Sequence, residues 1–160
     1  MVQDLAYSRG AVIKLRQSEM APKAGSVRPT GHGLMLPNEM GEAPLNIVFR
    51  GAPAGSSQTV EEMIASMDRG ILVTRLWYIR EVDPYEKNLT GMTRDRTFLV
   101  ERGKVQCGIR NLRFNQSWIQ MLRNVECLGE AVRASSGESI DMVVPPMKVR
   151  DFNFTETTRF

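Results

Sequence analysis

Few side chains in this sequence combine the residue type and spacing that catalysis requires. His32 is the single histidine, so a zinc-binding helix with two histidines one turn apart, such as HExxH, cannot be formed from this chain. A Ser-His-Asp or Cys-His site would have to use His32 as its general base. The segment Pro29–Gly33 around it is turn-like and has no nucleophile motif beside it. We therefore favour a loop histidine with local hydrogen bonds, and direct catalysis is the alternative.

A second group of candidates lies in the compact polar segment Leu89–Asp95, between two predicted strands. Its short polar side chains are Thr90, Thr93, Arg94 and Asp95. A hydrogen-bonded turn with a surface contact between Arg94 and Asp95 is the favoured interpretation, and a ligand site is the alternative. Other carboxylates could act as acid or base, but their spacing singles out no pair. The sequence therefore assigns no catalytic and no metal-binding residue.

The glycine and cysteine positions indicate no further site. There is no P-loop, and Gly31 and Gly33 do not form a GxGxxG that opens a helix. Cys107 and Cys127 stand alone without a CxxC, so no disulfide framework is indicated. We expect both thiols to be reduced, buried and inert.

Length and composition indicate one globular domain. The 160 residues, 42% of them hydrophobic, suffice for a sizeable core. We expect a single domain over 1–160, with a loop-rich segment over 1–45 and a sheet-and-helix core over 46–155. No apolar run approaches the ~20 residues of a membrane helix, and Met1–Gly10 lacks the pattern of a signal peptide, which predicts a cytoplasmic protein without membrane contact. The net charge of +3 is small and its basic stretch is interrupted by acidic residues, so nucleic-acid binding is not expected.

Two amphipathic helices are predicted from their N-terminal caps. Thr59 and Glu62 form a capping box that starts a helix over 59–70. Ser117 caps a second helix, expected over 117–129. Each carries an apolar stripe at helical spacing and has a glycine as its last residue.

Strand patterns account for most of the remaining core. The longest run, Ile71–Arg80, is apolar on both faces, so we expect a single strand that is covered on both sides. Thr97–Glu101 and Lys104–Phe114 are predicted to form a hairpin around Gly103, which supplies the positive φ of the turn. A phase slip over 108–111 in the second of these strands suggests a β-bulge.

The C-terminal part completes the predicted fold. A polar loop is expected over 130–138, followed by a last strand region over 140–155. Pro145 and Pro146 interrupt that region, as is typical of an edge strand or a bulge. Strands joined by hairpins and turns, with two helices and no repeating βαβ alternation, predict an α+β fold built mainly on antiparallel β-sheet.

Over most of its length, from about Tyr7 to Thr155, the sequence resembles the TldD/PmbA family, metallopeptidases that are also called modulators of DNA gyrase. The segments that carry the resemblance are Pro29–His32, Arg69–Arg75, Val82–Pro84, Leu89–Asp95, Phe98–Glu101, Asn111–Asn115, Val144–Pro145 and Lys148–Thr155. The resemblance implies the C-terminal domain of a much longer protein, closer to the PmbA-like half of the family.

The resemblance also implies where zinc would be held. In this family a zinc helix of HExxxH type lies upstream of the stretch present here, and in the TldD half a cysteine after the second helix is the third ligand. The corresponding loop, Glu130–Ser139, has no cysteine and Cys127 precedes it, so Cys127 receives no metal role. This chain alone therefore has no zinc cofactor, which is left to the full-length parent or its partner. Arg96 stands where the family usually has glycine, so the turn there is expected to differ.

The partners and the function follow from the same resemblance. The chain is expected to form a homo- or hetero-dimer with a TldD/PmbA-type subunit and to contribute a peptide-substrate groove and dimer surface in proteolysis of flexible peptides. His32, Thr90, Thr93, Arg94 and Asp95 are the family-motif positions expected near that groove or dimer surface. The alternative is a free-standing, non-catalytic peptide- or protein-binding module that kept the fold without the zinc site.

Overall fold

Twelve β-strands and three short helices make up the part of the chain that the structure, a computed structural model, describes: residues 9–17, 27–30, 47–53, 55–136 and 139–158. The helices are α1 (Arg9–Gln17), α2 (Val60–Ala65) and α3 (Trp118–Arg123). The strands are β1 (Ile47–Val48), β2 (Arg69–Val73), β3 (Leu76–Asp83), β4 (Asn88–Thr93), β5 (Thr97–Glu101), β6 (Lys104–Gly108), β7 (Leu112–Ser117), β8 (Val125–Leu128), β9 (Val132–Ser136), β10 (Ser139–Val144), β11 (Met147–Val149) and β12 (Phe154–Thr157).

The chain divides into two compact units, Met1–Val48 with Arg133–Met142 and Phe49–Val132 with Val143–Phe160. In the first unit, α1 buries Val12, and Arg16 donates a hydrogen bond from Nη2 to the carbonyl oxygen of Val27 at 3.0 Å. Strands β1, β10 and β9 lie in that order in a three-stranded sheet.

The second unit contains three antiparallel sheets. Their strand orders are β12-β7-β4-β3, β2-β5-β6 and β11-β8. The buried apolar side chains of this unit are Met63, Met92, Val100, Phe114 and Met121, each no more than 6% exposed. These sheets confirm the prediction of an α+β fold built mainly on antiparallel β-sheet.

The prediction of one strand over 71–80 is wrong, because the chain turns at Thr74 and Arg75. Thr74 donates from both its backbone N–H and its Oγ1 to the carbonyl oxygen of Arg96, at 3.2 and 3.0 Å. The N–H of Arg94 donates to the carbonyl oxygen of Arg75 at 3.0 Å. These bonds end β2 in the three-stranded sheet of the second unit and start β3 in the four-stranded sheet.

The expected cover on both faces of this run is also wrong for β3. This strand lies at the end of its sheet, with β4 on one side. Tyr78, Ile79 and Val82 are 48%, 44% and 56% exposed. An apolar pattern indicates that a strand favours burial, but it does not identify the chain that covers it.

The predicted helix starts are confirmed, whereas the predicted helix ends are wrong. The capping box of α2 is complete: the N–H of Thr59 donates to Glu62 at 2.8 Å and the N–H of Glu62 donates to Thr59 Oγ1 at 3.1 Å. This helix ends at Ser66, so residues 69–70 belong to β2. Helix α3 ends at Asn124, and the apolar residues beyond it form β8, which pairs with β11. Tertiary pairing therefore overrides the local helix pattern.

The hairpin of β5 and β6 is confirmed. Arg102 and Gly103 have φ values of 50° and 72°, as a tight two-residue hairpin turn requires. The bulge expected over 108–111 is wrong: β6 ends there, and β7 begins in a different sheet. The register instead shifts inside the hairpin, between Leu99 and Val100.

The last strand region is interrupted as predicted, but it contains three strands. Pro145 and Pro146 lie between β10 and β11, and β12 follows. The prediction of a polar loop over 130–138 is wrong. This segment contains β9, which pairs with β10 in the sheet that also contains β1.

Candidate functional site

The four described candidates lie along β4 and in the turn that follows it, while His32 lies outside the described residues. Thr90 and Thr93 belong to β4, and Arg94 and Asp95 lead to β5. Oγ1 of Thr90 donates to a backbone carbonyl oxygen of β7 at 3.0 Å. This hydroxyl therefore joins two neighbouring strands.

Thr93 is the centre of a buried hydrogen-bond network. Its side chain is fully buried, and its Oγ1 accepts hydrogen bonds from the N–H of Leu112 and from Oγ1 of Thr97, each at 2.9 Å. Oδ1 of Asn111 lies 3.4 Å from Thr93 Oγ1 and 3.3 Å from Thr97 Oγ1. The network ties β4, β5 and the start of β7 together, so the Thr93 hydroxyl fixes the positions of these strands.

Asp95 organises a half-exposed charged cluster. Its Oδ2 lies 3.2 Å from Nη1 of Arg75 and its Oδ1 lies 3.6 Å from Nε of Arg94, so the predicted contact between Arg94 and Asp95 is present. The Arg94 guanidinium stacks over the Trp77 ring, 4.1 Å from its centroid. Asp95 itself has a φ of 69°. The left-handed residue of this turn is thus Asp95, and Arg96 has no positive φ.

A polar pocket of about 340 Å³ lies at the opposite end of β4. Its lining residues are Glu86, Asn88, Asn115, Gln116, Ser117, Gln120, Asp151 and Asn153. Sequence reasoning missed this pocket because three separate segments build it and amide side chains resemble ordinary surface residues. The available signal was the Asn–Gln–Ser run that precedes α3, part of which lies in a segment resembling the family.

The described residues do not build a zinc site by themselves. Among them, no three His, Cys, Asp or Glu side chains come together as metal ligands. Cys127 is half-buried in β8, and Cys107 is exposed on β6. The prediction of a buried thiol is therefore wrong for Cys107, because β6 lies at the edge of its sheet. Glu126, beside Cys127, is paired with Lys148 at 3.1 Å.

None of the helices in the described part of the chain has the length and apolar character needed to span a membrane.

Comparison with known proteins identifies the domain. The family model described as the PmbA/TldA metallopeptidase C-terminal domain matches residues 14–156. A Thermotoga maritima protein provisionally described as a modulator of a DNA gyrase shares the fold with a TM-score of 0.65, and TldE from Thermococcus kodakarensis shares it with a TM-score of 0.62. Both are 19% identical to this chain. No curated protein matches.

These likenesses define the fold as that of one domain of a larger protein. The matches cover 86% and 87% of this chain, but only 29% and 30% of the Thermotoga and Thermococcus chains. Because the family model spans most of the sequence, the chain belongs to the PmbA/TldD metallopeptidase family, in the part that forms its C-terminal domain.

Proposed function

We propose that this chain acts in the cytoplasm as the C-terminal domain of a TldD/PmbA-type peptidase subunit. In this role it pairs with a second subunit of that type and helps to hold a flexible peptide for proteolysis. The observation that carries the proposal is the family match over residues 14–156. The likeness in fold to TldE supports placing the chain in a TldD/TldE-type assembly.

The edge of β3 is the surface that we assign to the peptide. Among the described strands, β3 pairs with β4 alone, so the parts of its outer edge on either side of the irregularity between Trp77 and Arg80 present backbone groups to which an extended segment can add as a further strand. Tyr78, Ile79 and Val82 offer apolar contacts along it. A peptide bound in this way would be recognised mainly through its backbone, which suits flexible substrates of varied sequence.

Two threonines of the family motif, Thr90 and Thr93, lie on β4, the strand that pairs with β3. In the pairing of β3 with β4, Leu76 lies opposite Thr93 and Arg80 lies opposite Thr90. The buried bonds of Thr93 fix β4, and β4 in turn fixes β3. These residues therefore orient the groove, while the zinc chemistry comes from the full-length parent or from the partner subunit.

Peptide binding by the full chain tests the proposal. A labelled flexible peptide should bind in fluorescence anisotropy, and Val82→Lys should weaken binding by about tenfold, because an edge lysine opposes strand addition. Val105→Lys is the matched control, since Val105 is 45% exposed on β6, an edge strand of another sheet. Equal effects of the two substitutions, or no binding by the unmodified chain, would contradict the proposal.

A free-standing peptide-binding module is the second candidate. It is favoured by the buried core that the second unit forms from its own residues, including Val100, Phe114 and Met121. An immunoblot of the source cells separates the candidates. A polypeptide much longer than 160 residues favours the peptidase subunit, and one of this length favours the module.

A further inference from the structure

The polar pocket at the start of β4 has a composition that selects one kind of ligand. Its eight lining residues are all polar, none is basic, and two of them, Glu86 and Asp151, are carboxylates. Its volume of about 340 Å³ is at the lower end of the range for small-ligand sites. The pocket can therefore admit a long side chain or a small molecule, and it disfavours an anion.

The wall of the pocket is held by a set of hydrogen bonds, of which the two made by the Gln116 side chain are part-buried. Gln116 is 6% exposed; its Nε2 donates to the carbonyl oxygen of Ser117 at 3.0 Å, and its Oε1 accepts from the N–H of Asn153 at 2.8 Å. Nδ2 of Asn153 donates to the carbonyl oxygen of Asn115 at 2.8 Å, and Oγ of Ser117 donates to that of Glu86 at 2.8 Å. Three chain segments are thus fixed before a ligand arrives, which lowers the entropic cost of binding.

The two carboxylates, Glu86 and Asp151, are the charged acceptors of this pocket. Oδ1 of Asn88 has no hydrogen-bond donor among the described residues, but it is shielded from solvent, so it does not serve as an acceptor for the ligand. Asp151 forms an ion pair with its chain neighbour Arg150, whose Nε lies 3.4 Å from Oδ2. No described ion pair engages the carboxylate of Glu86. A ligand rich in N–H donors and carrying a positive charge would complement this set.

We infer that the pocket binds the guanidinium group of an arginine side chain on the peptide ligand. The inference rests on the proposed peptide-binding function, and it names a substrate preference at a surface of the same four-stranded sheet. A guanidinium is planar, always charged and offers several N–H donors in fixed directions. It can therefore bond to amide oxygens and to a carboxylate at once, whereas a lysine ammonium is a compact point charge.

Nuclear magnetic resonance of the full chain tests the pocket without a peptide. The probes are N-acetyl-arginine amide and its citrulline analogue, which has nearly the same shape and no charge. The side-chain NH₂ signals of Asn115 and Gln120 report occupancy. We expect the arginine compound to shift these signals at concentrations roughly fivefold lower than the citrulline compound, as a charge-assisted hydrogen bond predicts.

Two substitutions and a control locate the effect. Glu86→Gln and Asp151→Asn should each reduce the preference for arginine over citrulline, and asparagine tolerates the left-handed backbone that Asp151 has with a φ of 55°. Glu101→Gln is the control, since the Glu101 side chain is 43% exposed and does not line the pocket, and it should keep the preference. Equal shifts by both compounds, no shift by either, or an unchanged preference in Glu86→Gln would overturn the inference.

The result can be separated from the proposed function. If the arginine compound fails while a flexible peptide still binds in a manner sensitive to Val82→Lys, the arginine pocket is wrong and the groove stands. If no peptide binds but arginine is selected by the unmodified chain, the groove is wrong and the pocket stands.

Discussion

Gly91 lies at a position of β4 where the surrounding packing leaves no room for a side chain. A Cβ there would lie 2.6 Å from Cζ of Phe114 and 3.2 Å from the carbonyl oxygen of Trp77. The Phe114 ring is buried and packs edge-on against Phe152, with centroids 5.4 Å apart, so it cannot move aside freely. Close packing of this kind makes an added methyl group costly.

We expect Gly91→Ala to lower the free energy of unfolding by about 1–3 kcal/mol. Urea denaturation of the full chain measures this change. Gly108→Ala is the control, because a Cβ at Gly108 meets nothing within 4 Å, and it should have little effect. Equal stabilities of the two variants would show that Phe114 relaxes around the new methyl group.

Removal of the Thr93 hydroxyl is also expected to lower the stability of the fold. In Thr93→Val the N–H of Leu112 loses its acceptor, the hydroxyl of the fully buried Thr93, and Thr97 loses one of its two partners. A buried donor without a partner costs about 1–3 kcal/mol, so thermal unfolding should show a clear loss of stability. Thr93→Ser keeps the hydroxyl and should lose less. If valine is tolerated as well as serine, the network does not hold β4 in place.

At the scale of elements, the interactions that could be predicted from the sequence are the local ones. The cap of α2 lies within four consecutive positions, from Thr59 to Glu62, and the β5–β6 turn is fixed by the residues at its tip. The end of α3 depends on pairing between Leu128 and Met147, which no local pattern records. The break of the strand over 71–80 likewise depends on the bonds from Thr74 to Arg96. The polar pocket was missed for the same reason.

The cap of α2 gives a prediction at this scale. Thr59→Ala removes the Oγ1 acceptor of the Glu62 N–H and should cost about 1 kcal/mol of stability, because α2 has only six residues and buries Met63. Thr59→Asn keeps a capping side chain and should stay close to the unmodified chain. Urea denaturation measures both variants. If Thr59→Ala leaves the stability unchanged, burial of Met63 alone is sufficient to hold α2 in place.

At the scale of the whole molecule, the four-stranded sheet carries both surfaces that we assign to a peptide. The edge strand β3 would bind the backbone, and the pocket at the start of β4 would bind one side chain. Since β4 pairs directly with β3 and β7, the Thr93 network and the pocket wall fix the same framework from its two ends. In such a framework, backbone pairing with β3 would supply most of the affinity for a peptide. The pocket would supply the preference for one side chain.

Hydrogen exchange of the full chain tests this arrangement. Strands β4, β5 and β7 each have a partner on both sides, so their amides should exchange most slowly. Strands β3 and β12 end their sheet, and their outward N–H groups should exchange faster. A flexible peptide in excess should slow β3 selectively, while β6, the edge of another sheet, should keep its rate. If β3 is already as protected as β4 without a peptide, its edge is not available for pairing. If β3 and β6 slow down together, binding is not specific to the four-stranded sheet.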